Sequence, residues 1–156
     1  MTVTTAMCNS FKQELCAMTP NTPTDTYMVV LIRAGHVGNY GASTTAVGTP
    51  GTGTPSASNL GTDAVPASGG YASVNGMGLS GFAASLDVST GLLTFADPAA
   101  WASTTISADG CIIYNSTRAN RALAVYSFGG TVSSTNGNFD INMPAVAAAT
   151  ALLRIA

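Results

Sequence analysis

Apolar positions recur at helical spacing once, near the start of the chain. Met7, Phe11, Leu15 and Met18 fall at i, i+4, i+8 and i+11, with Lys12, Gln13 and Glu14 breaking the stripe. Thr4 or Thr5 is placed to act as N-cap, and Thr19-Pro20 stops the run because a residue before proline disfavours the α region. The spacing predicts one short N-terminal helix over residues 5–18. From Tyr27 the pattern changes. Tyr27-Met28-Val29-Val30-Leu31-Ile32 is apolar throughout, which reads as a strand buried on both faces. Residues 38–70 are dominated by Gly, Thr, Ser, Ala and Pro, and Pro50, Pro55 and Pro66 exclude helix or inner strand there. A loop of that length is unusual in a compact domain, and such loops are usually functional or ordered by a partner.

Strand-like runs follow at short spacing. Gly78 to Leu86 and Gly91 to Ala96 flank a turn at Asp87-Val88-Ser89-Thr90. Next come Trp101 to Ser107, Cys111 to Tyr114, a polar turn at 115–120, and Arg121 to Phe128 ended by Gly129-Gly130. Asn136-Gly137 is the strongest local turn signal, and Phe139, Ile141 and Met143 alternate with polar residues after it as a half-buried strand. The run from Thr150 to Ile155 is read as a last strand in preference to a helix. Strands at intervals of about 8–12 residues with turns between them predict an all-β sandwich. It forms a single domain over 1–156, a length that buries a real core without staples.

Composition narrows the function classes. Only 8 % of residues are charged, with 5 Lys and Arg against 7 Asp and Glu, where roughly 25 % is ordinary. Phosphate neutralisation needs clustered cations, so a nucleic-acid partner is not expected. A hydrophobic fraction of 46 % argues against disorder. The longest apolar run, Met28 to Ile32, is strand-sized, so no membrane partner is expected, and the N-terminus has no secretory pattern. So small a net charge, −2, resists association weakly, which points to life in an assembly.

Candidate chemistry is sparse. Gly76-Met77-Gly78-Leu79-Ser80-Gly81 matches GxGxxG, but a dinucleotide fingerprint must close a strand and open a helix, and the window before Gly91 is too short for that helix. A Gly-rich β turn is the expected reading. His36 is the only histidine; a triad with Asp25 or Asp63 lacks a nucleophile elbow, and a loop or interface role is favoured. Cys8, Cys16 and Cys111 have no zinc spacing. On one helix the first two lie about 12 Å apart, beyond disulfide reach, so all three are read as small core hydrophobes made in a reducing cytoplasm. The six Asp are scattered singly, without metal-loop spacing or a catalytic pair. No catalytic residue, cofactor or metal is therefore expected, and no enzyme. Asn115-Ser116-Thr117 has meaning as a sequon only in a secreted chain. Trp101 is read as core in preference to an interface anchor. Arg118 and Arg121 at a hairpin tip are suited to gripping a partner's carboxylate or to lying in a solvated turn.

Several segments carry a resemblance. Cys8-Asn9-Ser10-Phe11-Lys12-Gln13-Glu14-Leu15, the strand from Tyr27 to Arg33, Gly69-Gly70-Tyr71, Ala108 through Ala122, Val125 to Gly130 and Leu153-Arg154-Ile155-Ala156 together resemble a family of small tailed-bacteriophage virion proteins. That family is similar to capsid decoration, or cement, proteins. The resemblance implies a jelly-roll-like β-sandwich with a short N-terminal helix, bound to the outside of the phage head. It also implies the major capsid protein as partner, homo-oligomers on the capsid, and synthesis in the host cytoplasm. The helix face Phe11/Leu15 and the Arg118/Arg121 turn are the expected partner contacts, and the N-terminal segment and the 38–70 loop are expected to lie across capsomer seams. The chain departs from the pattern at Cys16-Ala17-Met18-Thr19-Pro20, where a Gly-containing link is usual, and in a longer 38–70 segment. Two rivals stay open. One is a fibre, tail or receptor-binding component using Tyr40 and Tyr71 as glycan platforms. The other is a small hydrolase or nucleotide-binding enzyme built on His36 and the Gly76 motif.

Overall fold

The computed structural model describes residues 1–19 and 21–155. The fold is an all-β sandwich of two antiparallel sheets with one short helix near the N-terminus. Eight strands follow in chain order: β1 Ala6–Met7, β2 Tyr27–Arg33, β3 Met77–Leu79, β4 Ala83–Asp87, β5 Thr90–Thr94, β6 Trp101–Asn115, β7 Arg121–Phe139 and β8 Leu153–Ile155. The helix α1 is Asn9–Cys16. One sheet runs β1-β7-β6-β2-β3 and the other β4-β5-β8, a five-plus-three division where an even jelly roll has four and four.

β2 pairs with β6 from Tyr27↔Asn115 to Arg33↔Ala108, and with β3 on its other side. Val29, Val30, Leu31 and Ile32 are all fully buried, as a run with no polar alternation requires. One face of this strand meets the second sheet and the chain end. Tyr27 stacks on Phe82 at 5.1 Å and tilts against Phe95 at 5.2 Å, while Val29 and Ile113 lie with Ile141, Met143 and Leu152. Residues on the opposite face meet the connection from β2 to β3, where Tyr114 donates its hydroxyl to Asn75 O at 2.8 Å.

The 38–70 segment folds back as a cover over its own domain. Tyr40, Val47, Leu60 and Val65 join the central core. Its backbone is tied down by Val47 N donating to Asn120 O, Leu60 N to Val47 O and Val65 N to Leu31 O. Asn59 alone holds four loop groups: its Oδ1 accepts from the N–H of Thr49 and Gly61, and its Nδ2 donates to Thr52 O and Thr54 O. Few apolar side chains suffice because side-chain amides and carboxylates satisfy the backbone that a structureless loop leaves unpaired.

Four expected boundaries are corrected. The helix is shorter than residues 5–18, because Ala6 and Met7 pair with Val125 and Ala124 and leave Cys8, not a threonine, as N-cap. Met18 sits beyond α1 and is 89 % exposed, off the predicted stripe; Pro20, the expected stop, lies outside the described residues. The runs 101–107 and 111–114 are one strand, and β7 continues through both Gly129-Gly130 and Asn136-Gly137. Those turn signals become bulges: Ser127 to Val132 stands opposite Gly110 to Ala108, and Asn136 takes φ 47° inside the strand. A partner strand already in place lets the chain resume the ladder instead of reversing. Finally, Phe139, Ile141 and Met143 keep their alternating burial, but β7 ends at Phe139 and residues 140–143 form no strand.

Candidate interaction surface

α1 lies between two recesses of opposite character. On one side is an apolar groove of about 220 Å³, walled by Phe11 and Leu15 of α1 and by Ala84, Leu93, Leu153 and Ile155 of the second sheet. Phe11 and Leu15 stand one helical turn apart and so share this face. Phe11 is buried and forms the groove's inner wall, so it offers little to a surface contact; Leu15 at its lip is 38 % exposed. The apolar surface extends along β4, which is exposed on both faces from Ala83 to Leu86. At the hairpin tip Leu86 is 72 % and Val88 91 % exposed. β4 is the edge of a three-stranded sheet, and no strand among the described residues pairs with its outer side. Contiguous exposed apolar surface of this kind marks an interaction site more often than a free surface.

The other side of α1 is a polar recess of about 280 Å³ lined by Glu14, Thr19, Asn21, Arg118, Ala119 and Arg121. The hairpin turn between β6 and β7 holds Ala119 and Asn120 at positive φ and brings both arginines to α1. Arg121 Nη2 lies 2.7 Å from Glu14 Oε1, and Arg118 Nε donates to Asp25 Oδ2 at 3.3 Å. Asp25 also accepts from Asn115 Nδ2 at 2.8 Å and from the N–H and hydroxyl of Thr22. The Asn115 hydrogen bond above all, with Thr22 and Arg118 and against the opposing effect of burial, holds the Asp25 carboxyl below its ordinary range. The expected grip on a partner's carboxylate is thus taken up by the chain's own Asp25 and Glu14. The four expected contact residues do converge on α1, Phe11 and Leu15 on one flank and Arg118 and Arg121 on the other.

The remaining candidates resolve differently. His36 pairs through Nδ1 with Asp109 Oδ2 at 3.0 Å, not with Asp25 or Asp63. Thr131 gives its hydroxyl to the other Asp109 oxygen, so the cluster fastens the turn after β2 to β6 and to the β7 bulge. Gly76 to Gly81 enters and leaves β3 and opens no helix. Trp101 is buried, edge-on to Tyr71 at 5.2 Å. Tyr40 and Tyr71 are buried as well, and no aromatic among the described residues is exposed. No group of three His, Cys, Asp or Glu comes together among the described residues, and no helix is long and apolar enough to cross a membrane.

The cysteines divide in a way the sequence reading missed. Cys8 and Cys111 are buried and Cys16, at the end of α1, is exposed. Burial pushes both inner thiols up to about 12, Cys8 against a small opposing effect of Lys12. A thiol reagent at neutral pH is therefore expected to modify Cys16 quickly and the other two only after denaturation, read as one fast equivalent in a colorimetric thiol titration. Three fast equivalents would contradict the burial.

The exposure of Leu86 and Val88 is not part of the sequence reading. Their signal was legible: two large apolar residues flank Asp87 at a hairpin tip, where polar residues are usual. Comparison with family models, with curated proteins and with solved structures finds no match.

Proposed function

We propose that this chain is a non-enzymatic virion subunit, a decoration protein that binds the outside of a tailed-phage head and stabilises contacts between capsomers. The observation that carries the reading is the apolar surface left open beside α1, from the Leu15 groove to the Leu86 and Val88 tip. The sequence resemblance turns that surface toward the major capsid protein. A largely apolar contact suits such a role, because burying neutral groups costs less desolvation than burying ions. Each contact is modest, and many copies on one shell multiply the stabilisation. The rival fibre or glycan-binding reading needs aromatic platforms, and Tyr40 and Tyr71, its two candidates, are in the core.

A double variant, Leu15→Asp with Leu86→Asp, tests this surface. Both positions are exposed, so its melting temperature is expected to stay within a few degrees of the parent. Its binding to heads stripped of the protein is expected to fall at least about tenfold, since each carboxylate must be desolvated in the contact. Unchanged binding by the folded variant would reject the groove as the capsid contact.

A further inference from the structure

The outer edge of β7 poses a separate question. Arg121 and Ala122 are covered by Ala46 and Thr45, Ala124 and Val125 by β1, and Ser127 N by the Thr5 hydroxyl. From Phe128 to Phe139 no further strand among the described residues pairs with the outer side of β7. Within this stretch Val132 to Ser134 keeps unbroken register with Ile106 to Ala108, so the edge is regular there between two irregularities. Exposed edges are templates for another strand, and proteins usually blunt them with Lys, Pro or inward charges. From Ala122 to Phe139 there is no charged residue and no proline.

We infer that this edge pairs with the same edge of a second copy, antiparallel about a two-fold axis, joining two five-stranded sheets into one. A strand facing its own copy meets like with like, so charge anywhere near the axis would repel; this stretch has none. Its side chains, Thr131, Ser133, Ser134, Thr135 and Asn136, are each both donor and acceptor, and so match themselves as an acidic or basic strand cannot. The same chemistry already works inside the ladder, where Ser107 and Ser133 hydroxyls meet at 2.7 Å. An interface built from one patch on both partners closes at two copies. The pairing stands apart from the α1 groove and does not rest on binding to a head.

Sedimentation velocity of the full chain over a wide micromolar range tests it, with a concentration-dependent dimer expected. Val132 and Thr135 make no side-chain hydrogen bond to the described residues, so Val132→Lys with Thr135→Lys adds charge on both faces of the edge without touching the internal network. This variant, and its counterpart with Glu at both positions, are each expected to dimerise at least about tenfold more weakly, and an equal mixture to recover dimer. Hydrogen exchange of the unaltered chain gives an answer even if a variant fails to fold. Amides of 131–135 are expected to slow as concentration rises, while those of β4 do not. A parent that stays monomeric throughout, as it would if the edge takes a strand from another protein, overturns the inference. So does a dimer that the lysines leave intact, or a mixture that recovers nothing. Loss of head binding in the Leu15/Leu86 variant with its dimer retained separates this pairing from the capsid contact.

Discussion

Replacing Gly76 with alanine is expected to cost about 3–5 kcal/mol, a large share of the roughly 5–15 kcal/mol that holds a domain of this size. Gly76 takes φ +85° at the entry to β3, and a Cβ there would stand 1.9 Å from Val29 O and 2.8 Å from Val30 Cα. Neither neighbour can give way, because both belong to the backbone of β2, the strand on which the core is assembled. Thermal unfolding is expected to drop by roughly 10 °C or more. Gly78 is the control. It lies two residues on in the same GxGxxG string, has ordinary φ, and a Cβ there would meet only Met28 Sδ at 3.9 Å. Gly78→Ala is expected to shift stability by less than about 1 kcal/mol. A dinucleotide loop would need its second glycine for close approach of phosphate; the fold needs the first and not the second. Equal melting temperatures for parent and Gly76→Ala would refute this packing.

Asp63→Ala is expected to be the other severe change, at about 3 kcal/mol, because it strands several donors at once. The Asp63 side chain is fully buried in the single 3₁₀ turn of the long loop, Gly61–Asp63. It accepts from Val37 N at 3.0 Å, Gly38 N at 2.7 Å and Tyr40 Oη at 2.8 Å, with Arg33 Nη2 at 3.5 Å. Burial alone would raise its pKa. The Gly38 and Val37 amides, the Tyr40 hydroxyl and the Arg33 charge together outweigh burial and hold it below the ordinary carboxylate range. The pH consequence follows from that direction. A folded pKa below the unfolded one, about 3.9, gives stability that is complete above that value and is lost as pH falls through the folded pKa. Asp109 is shifted the same way, mainly by the Thr131 hydroxyl and then by His36 against burial, and Asp25 likewise. The parent is therefore expected to lose melting temperature below about pH 4. Asp63→Asn starts lower at neutral pH and loses less on acidification. A variant whose acid loss equals the parent's would remove Asp63 from this account.

The readable parts of the fold are those where local pattern and long-range pairing agree. β2 is apolar from Tyr27 to Ile32 and has neighbours on both sides and both faces. The β4–β5 hairpin turns at Val88-Ser89, inside the predicted turn. β8 forms at the chain end where a strand was preferred to a helix. Misreadings arise where a distant partner overrides a local signal. Two Gly-rich turn signals become bulges because β6 is already there to pair with, and Met7 leaves the helical stripe because Ala124 offers it a ladder. The long loop looked free because its anchors are single polar residues, Asn59 and Asp63, which carry no periodicity. For the site, helical spacing did place Phe11 and Leu15 on one face. The arginine pair was placed correctly in the chain, yet its carboxylate partners, Glu14 and Asp25, are distant in sequence and invisible to spacing.

Low charge links these observations. Half of the twelve charged residues are paired with one another inside the chain, as Arg118–Asp25, Arg121–Glu14 and Arg33–Asp63. Apart from a few exposed charges such as Lys12, Asp97, Asp140 and Arg154, what remains outside is hydroxyl, amide and apolar surface, which meets other protein surface at little desolvation cost. The most direct test of the central claim, that this chain coats a phage head, is its copy number in purified virions by quantitative mass spectrometry against the major capsid protein. A decoration protein is expected at a stoichiometry comparable with the coat subunit or a fixed fraction set by capsomer number. A handful of copies per particle, as in a tail or fibre, or none at all, would contradict it.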